Sequence, residues 1–457
     1  MKKTALSVVV SVAASLAFSW NIVPVDTAGT AARGWWNSMA ISGSTISVGY
    51  IVYVSGTPLQ TAIRYARSTD YGANWTVETV DTASNYGTGY ATLGWFRGGL
   101  DLDPDGNPHM AYTVEASIGS FCMHAKRTAP GTWKLDTIEM RTSQPLVCHD
   151  ADIKIDPQGR AHVVYTYYGV KTRYAVKDTS GWTIHDVSLD PAYGVALALD
   201  SARNPHVAIG TLSDVRYAWS TDHGANWQTE VVDNGWWHVD LCLDAVGQPL
   251  IAYTHLNAAI WFGRRTGPNN WATGQVDIGG GNCCRPCVFY DAPGGEIHVG
   301  YYPTMSSPDI KRAVSSNGGG SWSLETVSGT GGVYASSSCP DLAKTADGTF
   351  LVFESPGYEL SMAIDRTVGC PEPVAGQELE LRIAPNPASR VARIELGGMA
   401  LVSGLVSVFD RAGKLVATSA LQGGESRVDV RGLRNGVYFC RIGGRDGPVG
   451  AKLLVQH

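Results

Sequence analysis

The sequence lacks a strong excess of charge of either sign. Lys and Arg number 35 against 41 Asp and Glu, which leaves a formal net charge of −6, and only 17% of the residues are charged. Proteins that bind nucleic acid or an anionic membrane by electrostatic attraction carry a basic surface. The sequence therefore predicts no nucleic-acid partner and leaves neutral or weakly charged ligands open.

The sequence also lacks an apolar run long enough to span a membrane. The run from Ala5 to Phe18 has about 14 residues, whereas a spanning helix needs roughly 20. Two lysines precede this run, and Ala17 and Ser19 supply the small residues of a cleavage site. This arrangement is typical of a secretory signal peptide. We predict that residues 1–19 are removed and that the mature protein has no membrane span.

The nine cysteines are an odd number, so disulfide pairing leaves at least one thiol over. Export favours disulfides over a metal site built from cysteines. The connectivity is not readable from the sequence: by the repeat described below either Cys287 with Cys339 or Cys122 with Cys148 could form a bridge, and Cys440 is the candidate for the free thiol. We expect no metal ion and no other cofactor.

What the sequence has in abundance is glycine, at 53 residues, and tryptophan, at 14, in a chain that is 44% hydrophobic. A strand, turn and strand pattern recurs seven times, with apolar residues alternating on both sides of a turn. Four copies are clear and three are weaker. They are "LDLDPDGNPHMAY" from Leu100, "IKIDPQGRAHVVY" from Ile153, "LALDSARNPHVAI" from Leu197, "LCLDAVGQPLIAY" from Leu241, and the copies from Met39, Cys287 and Leu342.

Each hairpin is followed by a third strand and, in six of the seven units, by a fourth strand that begins with Trp, such as "WTVETVD" from Trp75. The seventh unit lacks its fourth strand, and "WNIVPVD", Trp20 to Asp26, has that pattern without a preceding hairpin. We predict that this segment pairs with the third strand of the last unit. The sequence thus predicts an all-β protein, a seven-bladed β-propeller over residues 20–367 closed by an N-terminal strand. An open two-sheet sandwich is the alternative.

The turn between third and fourth strands has nearly the same sequence in "STDYGANW" from Ser68 and "STDHGANW" from Ser220, and a less similar one in "SSNGGGSW" from Ser315. This repeated phrase resembles the Asp-box (BNR) repeat of sialidases and related secreted propellers. The resemblance implies a structural role in the turn for Ser68, Asp70, Gly72, Trp75, Ser220, Asp222, Gly224, Trp227, Ser315, Asn317 and Trp322.

Residues 368–380 have the composition of a linker, and residues 381–457 alternate like a small antiparallel β-sandwich. Over its whole length this segment resembles the C-terminal sorting domain of type IX secretion substrates, through Pro385-Asn386-Pro387, the strand and turn from Val408 to Lys414, and "NGVYF" from Asn435. The resemblance implies recognition by the type IX secretion machinery, transport across an outer membrane, and release or attachment at the cell surface. A plain adhesive β-domain is the alternative.

Residues that break the repeat are the candidates for function. The loops that lead into the first strands, and those that join second to third strands, lie on one face of a propeller, which we term the upper face. They carry aromatic, acidic and basic residues that suit a small glycan or a peptide. The candidate ligand-binding residues are Trp36, Trp95, Arg97, Glu115, His149, Asp150, Trp237, His238, Arg285 and Glu354.

The resemblance to sialidases raises a glycoside hydrolase as an alternative, because that family binds the substrate carboxylate with three arginines. Only Arg97 and Arg285 suit this role, and the Arg-Ile-Pro motif of the family does not occur. We therefore assign no catalytic residue and favour an exported binding module, with a sialidase-like hydrolase second and a structural surface protein third. His109, His162, His206 and His298 recur in one frame and are interpreted as scaffold, as are Arg64, Arg173 and Arg216.

Overall fold

The computed structural model describes residues 20–26, 33–54, 60–86, 91–93, 99–142, 148–236, 238–278, 284–303, 309–328, 340–355, 359–365, 380–384, 386–397, 404–411, 415–421, 425–442 and 449–457. The proposed signal peptide and most of the proposed linker lie outside these ranges. The chain divides into two compact units, one made of Trp20–Thr345 with Thr349–Ile364, and the other containing the residues from Asp365 onward.

The described part of the first unit contains seven four-stranded antiparallel groups, here termed blades. The first strand of the chain, β1 (Asn21–Asp26), belongs to the last blade. Blade 1 holds β2 (Arg33–Ser42), β3 (Thr45–Val54), β4 (Gln60–Ser68) and β5 (Thr76–Thr82). A 3-10 turn (Ala83–Tyr86) and β6 (Ala91–Leu93) connect it to blade 2, which holds β7 (Gly99–Leu102), β8 (Pro108–Ala116), β9 (Gly119–Ala129) and β10 (Thr132–Arg141). Because β6 pairs with both β4 and β8, blades 1 and 2 share one continuous sheet.

The remaining blades follow the same order. Blade 3 holds β11 (Cys148–Ile155), β12 (Ala161–Tyr167), β13 (Lys171–Asp178) and β14 (Gly181–Ser188). Blade 4 holds β15 (Gly194–Leu199), β16 (Pro205–Gly210), β17 (Asp214–Trp219) and β18 (Gln228–Asn234). Blade 5 holds β19 (Val239–Leu243), β20 (Pro249–Thr254), β21 (Ile260–Gly267) and β22 (Asn270–Asp277). Blade 6 holds β23 (Cys284–Asp291), β24 (Glu296–Tyr302), β25 (Ile310–Ser315) and β26 (Ser323–Ser328). Blade 7 holds β27 (Asp341–Thr345), β28 (Gly348–Ser355), β29 (Glu359–Asp365) and β1.

The N-terminal strand β1 pairs antiparallel with β29, the third strand of blade 7, with Asn21 opposite Ile364 and Asp26 opposite Leu360. This is the pairing that the sequence predicts. The first strands of neighbouring blades also contact one another in cyclic order, and β27 of blade 7 contacts β2 of blade 1. The first unit is a β-propeller, and its apolar cores lie between adjacent blades.

The sequence repeat encodes a hydrogen bond between neighbouring blades. A Tyr in the second strand of a blade donates its hydroxyl to an acidic residue in the fourth strand of the preceding blade. We term these contacts junction pairs. They are Tyr50 with Asp26 at 2.7 Å, Tyr112 with Asp81 at 2.6 Å, Tyr165 with Glu139 at 2.5 Å, Tyr253 with Asp233 at 2.6 Å, and Tyr301 with Asp277 at 2.7 Å.

A second set of contacts joins the first strands around the axis. An aspartate on one first strand accepts the backbone N–H of the next first strand. The five such contacts among the described residues are Asp101 to Ile155 at 2.7 Å, Asp150 to Val195 at 3.0 Å, Asp152 to Leu197 at 2.8 Å, Asp240 to Val288 at 2.8 Å and Asp341 to Met39 at 2.7 Å. Backbone N–H groups at the inner edges of blades 1, 3, 4 and 6 are thereby satisfied by a neighbouring blade.

The expected disulfides are not formed among the cysteines that the structure describes. Cys122 and Cys148 pack in one buried cluster as thiols, so this one of the two possible bridges is not formed in the structure. Cys287 is also a thiol, whose S–H donates to the Gly300 carbonyl at 3.5 Å, and Cys339 lies outside the described residues. These thiols fill space between blades as small apolar side chains do. Cys440 is a buried thiol as well.

The second unit contains two small sheets. One has the order β30 (Glu380–Ala384), β31 (Val391–Gly397), β34 (Glu425–Asp429), and the other has β33 (Leu415–Leu421), β32 (Gly404–Phe409), β35 (Gly436–Ile442), β36 (Val449–Val455). A common core lies between them and includes Ile394, Val408 and Leu453. Asn386 fixes the start of the unit, because its side chain donates to the Lys452 carbonyl at 2.8 Å and accepts from the Leu454 N–H at 2.7 Å.

Candidate functional site

Three first strands bulge where they begin on the upper face. The pairing register shifts between Trp35 and Ser38 in β2, between Cys148 and Ala151 in β11, and between Cys284 and Cys287 in β23. The first strands β15 and β19 pair without a shift. A bulge inserts an extra residue and re-aims the side chains next to it. Four sequence candidates lie on these bulges, namely Trp36, His149, Asp150 and Arg285.

The best-defined group on the upper face surrounds His149. Its imidazole Nδ1 lies 3.0 Å from the Tyr193 carbonyl oxygen, and because a carbonyl only accepts, Nδ1 carries the proton. The ring packs against Tyr168 with centroids 4.6 Å apart, and Tyr168 meets Tyr193 edge-on at 5.0 Å. We term these three residues the His149 cluster. Tyr168 is 45% exposed, so the cluster presents an aromatic face to solvent.

Asp150, beside His149, is buried, and its carboxylate accepts the backbone N–H of Val195 in the next blade at 3.0 Å. It therefore fixes the position of β15 relative to the bulge. Glu354 is likewise buried, and its backbone exchanges hydrogen bonds with the Tyr302 hydroxyl at 3.0 and 3.1 Å. Asp150 and Glu354 therefore stabilise the upper face through these hydrogen bonds.

Trp36 does not offer the exposed ring that the sequence suggests. It adopts a positive φ of 54°, is only 5% exposed, and packs with Ile51 and Tyr112 in the core between blades 1 and 2. The bulge turns the Trp36 indole toward the blade interface. The expectation that this ring binds a ligand is therefore wrong, and Trp36 packs in the core instead. Glu115, at the upper end of β8, is half-buried, and burial raises the pKa of its carboxyl group.

Blade 5 contributes a second aromatic pair, formed by His255 of a loop that joins second and third strands and by Trp261. His255 stacks on Trp261 with centroids 4.3 Å apart and an interplanar angle of 19°. His238 leads into the same blade, and its carbonyl accepts the Thr254 N–H at 3.1 Å. Trp261 belongs to a third strand, and Tyr193 to a loop without a recognisable motif, so no pattern in the chain identified them.

Three candidates, Trp95, Arg97 and Trp237, lie outside the described residues. Arg285 is part of β23, but its side chain is outside what the structure describes. The structure therefore brings His149 together with Tyr168 and Tyr193, and places Glu115, His238 and Glu354 on other blades.

The repeated phrase forms the same turn in blades 1, 4 and 6, on the lower face. In blade 4 the Ser220 hydroxyl donates to Asp222 at 2.7 Å and accepts the Gly224 N–H at 2.8 Å. Asp222 also accepts the Asn226 N–H at 2.8 Å, and the Trp227 indole donates to the Gly224 carbonyl at 3.0 Å. The corresponding bonds in blade 1 have the same lengths within 0.1 Å. The phrase is a turn with no part in the upper face.

The recurring arginines are bound in ion pairs. Arg64 pairs with Asp26 at 2.9 Å, Arg173 with Glu139 at 2.5 Å and Asp186 at 3.0 Å, and Arg216 with Asp190 and Asp214. Each guanidinium is therefore engaged with the scaffold, in agreement with its recurrence in the sequence.

Comparison with known proteins identifies the class of the C-terminal unit. The family described as "secretion system C-terminal sorting domain" matches residues 382–456. The chain is thus a β-propeller protein that carries a type IX sorting domain, and it is exported to the cell surface or beyond. In the part of the chain that the structure describes, no helix has the length and apolarity to cross a membrane. No curated protein sequence matches the chain.

Solved structures match the propeller at low sequence identity. An ulvan lyase, from a new family of polysaccharide lyases, is similar with a TM-score of 0.50 and 13% identity over 75% of this chain and 96% of the lyase. A protein of unknown function from Dyadobacter fermentans has a TM-score of 0.48 and 11% identity, over 75% and 97% of the two chains. The NanB sialidase of Streptococcus pneumoniae has a TM-score of 0.41 and 11% identity, over 72% and 66%. These likenesses concern the fold.

Proposed function

We propose that the upper face of this exported propeller binds a carbohydrate ligand, and that the His149 cluster is the centre of the site. The observation that carries the proposal is the bulge in β11, which places His149 where the repeat has no equivalent residue and against two tyrosines. Bulges of this kind are over-represented beside functional sites.

The chemistry of the His149 cluster suits a sugar. An aromatic ring that is partly exposed stacks on the apolar face of a pyranose, while imidazole and carboxylate groups bind its hydroxyl groups. Tyr168 supplies the exposed ring. A peptide ligand uses the same aromatic and polar groups, and it is the other outcome that the experiment distinguishes. We also propose that the propeller spans residues 20–367 and that the sorting domain spans residues 381–457.

The alternative is a hydrolase of sialidase type, which needs three arginines around the substrate carboxylate. Arg64, Arg173 and Arg216 are held in ion pairs, which leaves Arg97 and Arg285 as in the sequence argument. The proposal of a binding module therefore stands first, and a structural surface protein third.

The test is a glycan array, with a peptide array beside it, probed with the mature chain. We expect binding to glycans that is weakened at least tenfold in His149→Ala and in Tyr168→Ala. His223→Asn is the matched control, because His223 is an exposed histidine on the lower face and its substitution leaves the upper face unchanged. Glycan binding unaffected by both upper-face variants contradicts the proposal. Turnover of a fluorogenic sialoside that Arg97→Ala abolishes establishes the hydrolase instead.

A further inference from the structure

The hairpin histidines of the lower face share one arrangement in which each ring bridges two polar groups. Nε2 faces the carboxylate of the turn, at 3.3 Å from Asp156 for His162 and at 3.6 Å from Asp200 for His206. Nδ1 faces the third strand, where His162 contacts the Tyr174 hydroxyl and His206 contacts the Tyr217 hydroxyl at 2.5 Å. Nδ1 of both rings is thereby hydrogen-bonded, and Nε2 of His162 is hydrogen-bonded to Asp156 as well.

Blade 6 breaks this arrangement. His298 is only 2% exposed, yet within the described residues neither of its ring nitrogens has a hydrogen-bond partner. Gly300, two residues further on, lies opposite Arg312, whereas the equivalent positions in blades 3 and 4 lie opposite Tyr174 and Tyr217. Arg312 forms an ion pair with Glu325, and a guanidinium accepts no hydrogen bond. A buried imidazole without partners is costly and requires an explanation.

The Nε2 side of His298 faces two carboxylates. Ligand atoms of Asp291, Glu296 and His298 all lie within 4.8 Å of one another, and Nε2 is 3.4 Å from a Glu296 oxygen. Lys344 of blade 7 reaches the same place, where its ammonium donates to Asp291 at 2.5 Å and to Glu296 at 3.0 Å. Since the Lys344 side chain is 27% exposed, it has a path to solvent.

The orientation of the imidazole suits a metal ion. A metal ion binds an imidazole through the lone pair of a ring nitrogen, and Nε2 is the nitrogen that faces the two carboxylates.

We propose that Asp291, Glu296 and His298 form a divalent-cation site on the lower face, which Lys344 occupies with its ammonium group when no metal is bound. Zn²⁺ accepts both imidazole nitrogen and carboxylate oxygen as ligands, whereas Ca²⁺ and Mg²⁺ prefer all-oxygen sites. Metal binding replaces the Lys344 ammonium with a metal ion. The metal ion also binds the Nε2 lone pair of His298. This proposal is independent of the upper face.

The test uses Zn²⁺ titrations of the full chain by calorimetry. Lys344→Met removes the competing ammonium and is expected to bind one Zn²⁺ at least tenfold more tightly than the wild type does. Glu296→Gln in the Lys344→Met background is expected to lose that gain, and its partly exposed side chain makes the change compatible with folding.

The matched control is Arg160→Met. It removes the cation beside Asp156 and His162 in blade 3, where His162 keeps its tyrosine partner and the described residues supply no third ligand. Lys344→Met that binds Zn²⁺ no more tightly than Arg160→Met overturns the proposal. So does a Lys344→Met, Glu296→Gln protein that retains the tighter binding.

Discussion

The junction pair between the N-terminal strand and blade 1 provides a sharp test of how the propeller is held together. Asp26 of β1 accepts the Tyr50 hydroxyl at 2.7 Å and an Arg64 N–H at 2.9 Å, and its side chain is 1% exposed. Burial and the adjacent Asp26 charge raise the pKa of Tyr50. The Tyr50 hydroxyl therefore stays protonated and donates its hydrogen bond to Asp26. Through this bond and the one from Arg64, Asp26 connects blade 7 to blade 1.

We expect Asp26→Ala to destabilise the propeller by about 1.5–4 kcal/mol. The buried Tyr50 hydroxyl then lacks its carboxylate, which costs about 1–3 kcal/mol. Losing the Arg64 ion pair adds only about 0.5–1 kcal/mol, because Arg64 is 28% exposed and turns toward water. Tyr50→Phe alone is expected to cost about 1–2 kcal/mol, since a buried carboxylate loses one of its donors.

The assay is urea unfolding of the full chain followed by tryptophan fluorescence, with Glu359→Ala as a control that removes an exposed charge from the same blade. Because Asp26 and Tyr50 contact each other, the double variant is expected to cost less than the sum of the single variants, by about 1 kcal/mol. Strictly additive effects, or an Asp26→Ala midpoint equal to that of the wild type, refute this account. A chain that lacks residues 20–26 and melts like the full chain refutes closure by β1 altogether.

Two further predictions concern the lower face. Gly224 has a φ of 94°, and a Cβ there meets Tyr174 Cε1 at 2.4 Å, whereas a Cβ at Gly247, with a φ of 79°, meets nothing within 4 Å. Gly224→Ala is therefore expected to cost about 2–5 kcal/mol and Gly247→Ala about 1–2 kcal/mol in urea unfolding, and equal costs contradict the packing described. Although burial opposes it, the Lys126 ammonium and the Asn107 N–H groups lower the pKa of Asp103 to about 2. The stabilisation due to its charge is full above the unfolded pKa of about 4 and is lost as the pH falls toward 2, so the stability gap between wild type and Asp103→Asn narrows over that range. A gap that is constant with pH contradicts this assignment.

Much of the fold was predictable because the strand pattern of each blade repeats along the amino-acid sequence. The alternation of apolar residues, the Trp-led strands and the unpaired segment from Trp20 predicted the strands and the partner of β1. The sequence also contained the junction pairs, as the Tyr that closes a hairpin and the acidic residue that closes a Trp-led strand, but their meeting across blades is a long-range contact. Which Tyr meets which acidic residue therefore becomes known only when the neighbouring blades are placed next to each other.

The candidate site was predicted less well. His149 lies on the upper face as the argument from broken repeats suggests, and it gains Tyr168 and Tyr193 as neighbours only through the packing of blades 3 and 4. Trp36 looked equally exposed in sequence, yet the bulge in β2 turns its ring into the core. A bulge changes which face a side chain occupies, and no composition or spacing in one strand reveals it.

The sequence by itself determined the class of fold, the role of the repeated phrase and the sorting domain, because each depends on a local pattern that recurs or matches a family along the chain. The tertiary structure alone decided which side chains face a ligand, which cysteines are thiols, and why His298 lacks the tyrosine partner that His162 and His206 have. These outcomes depend on contacts between neighbouring strands and neighbouring blades, which no local pattern in the chain reveals.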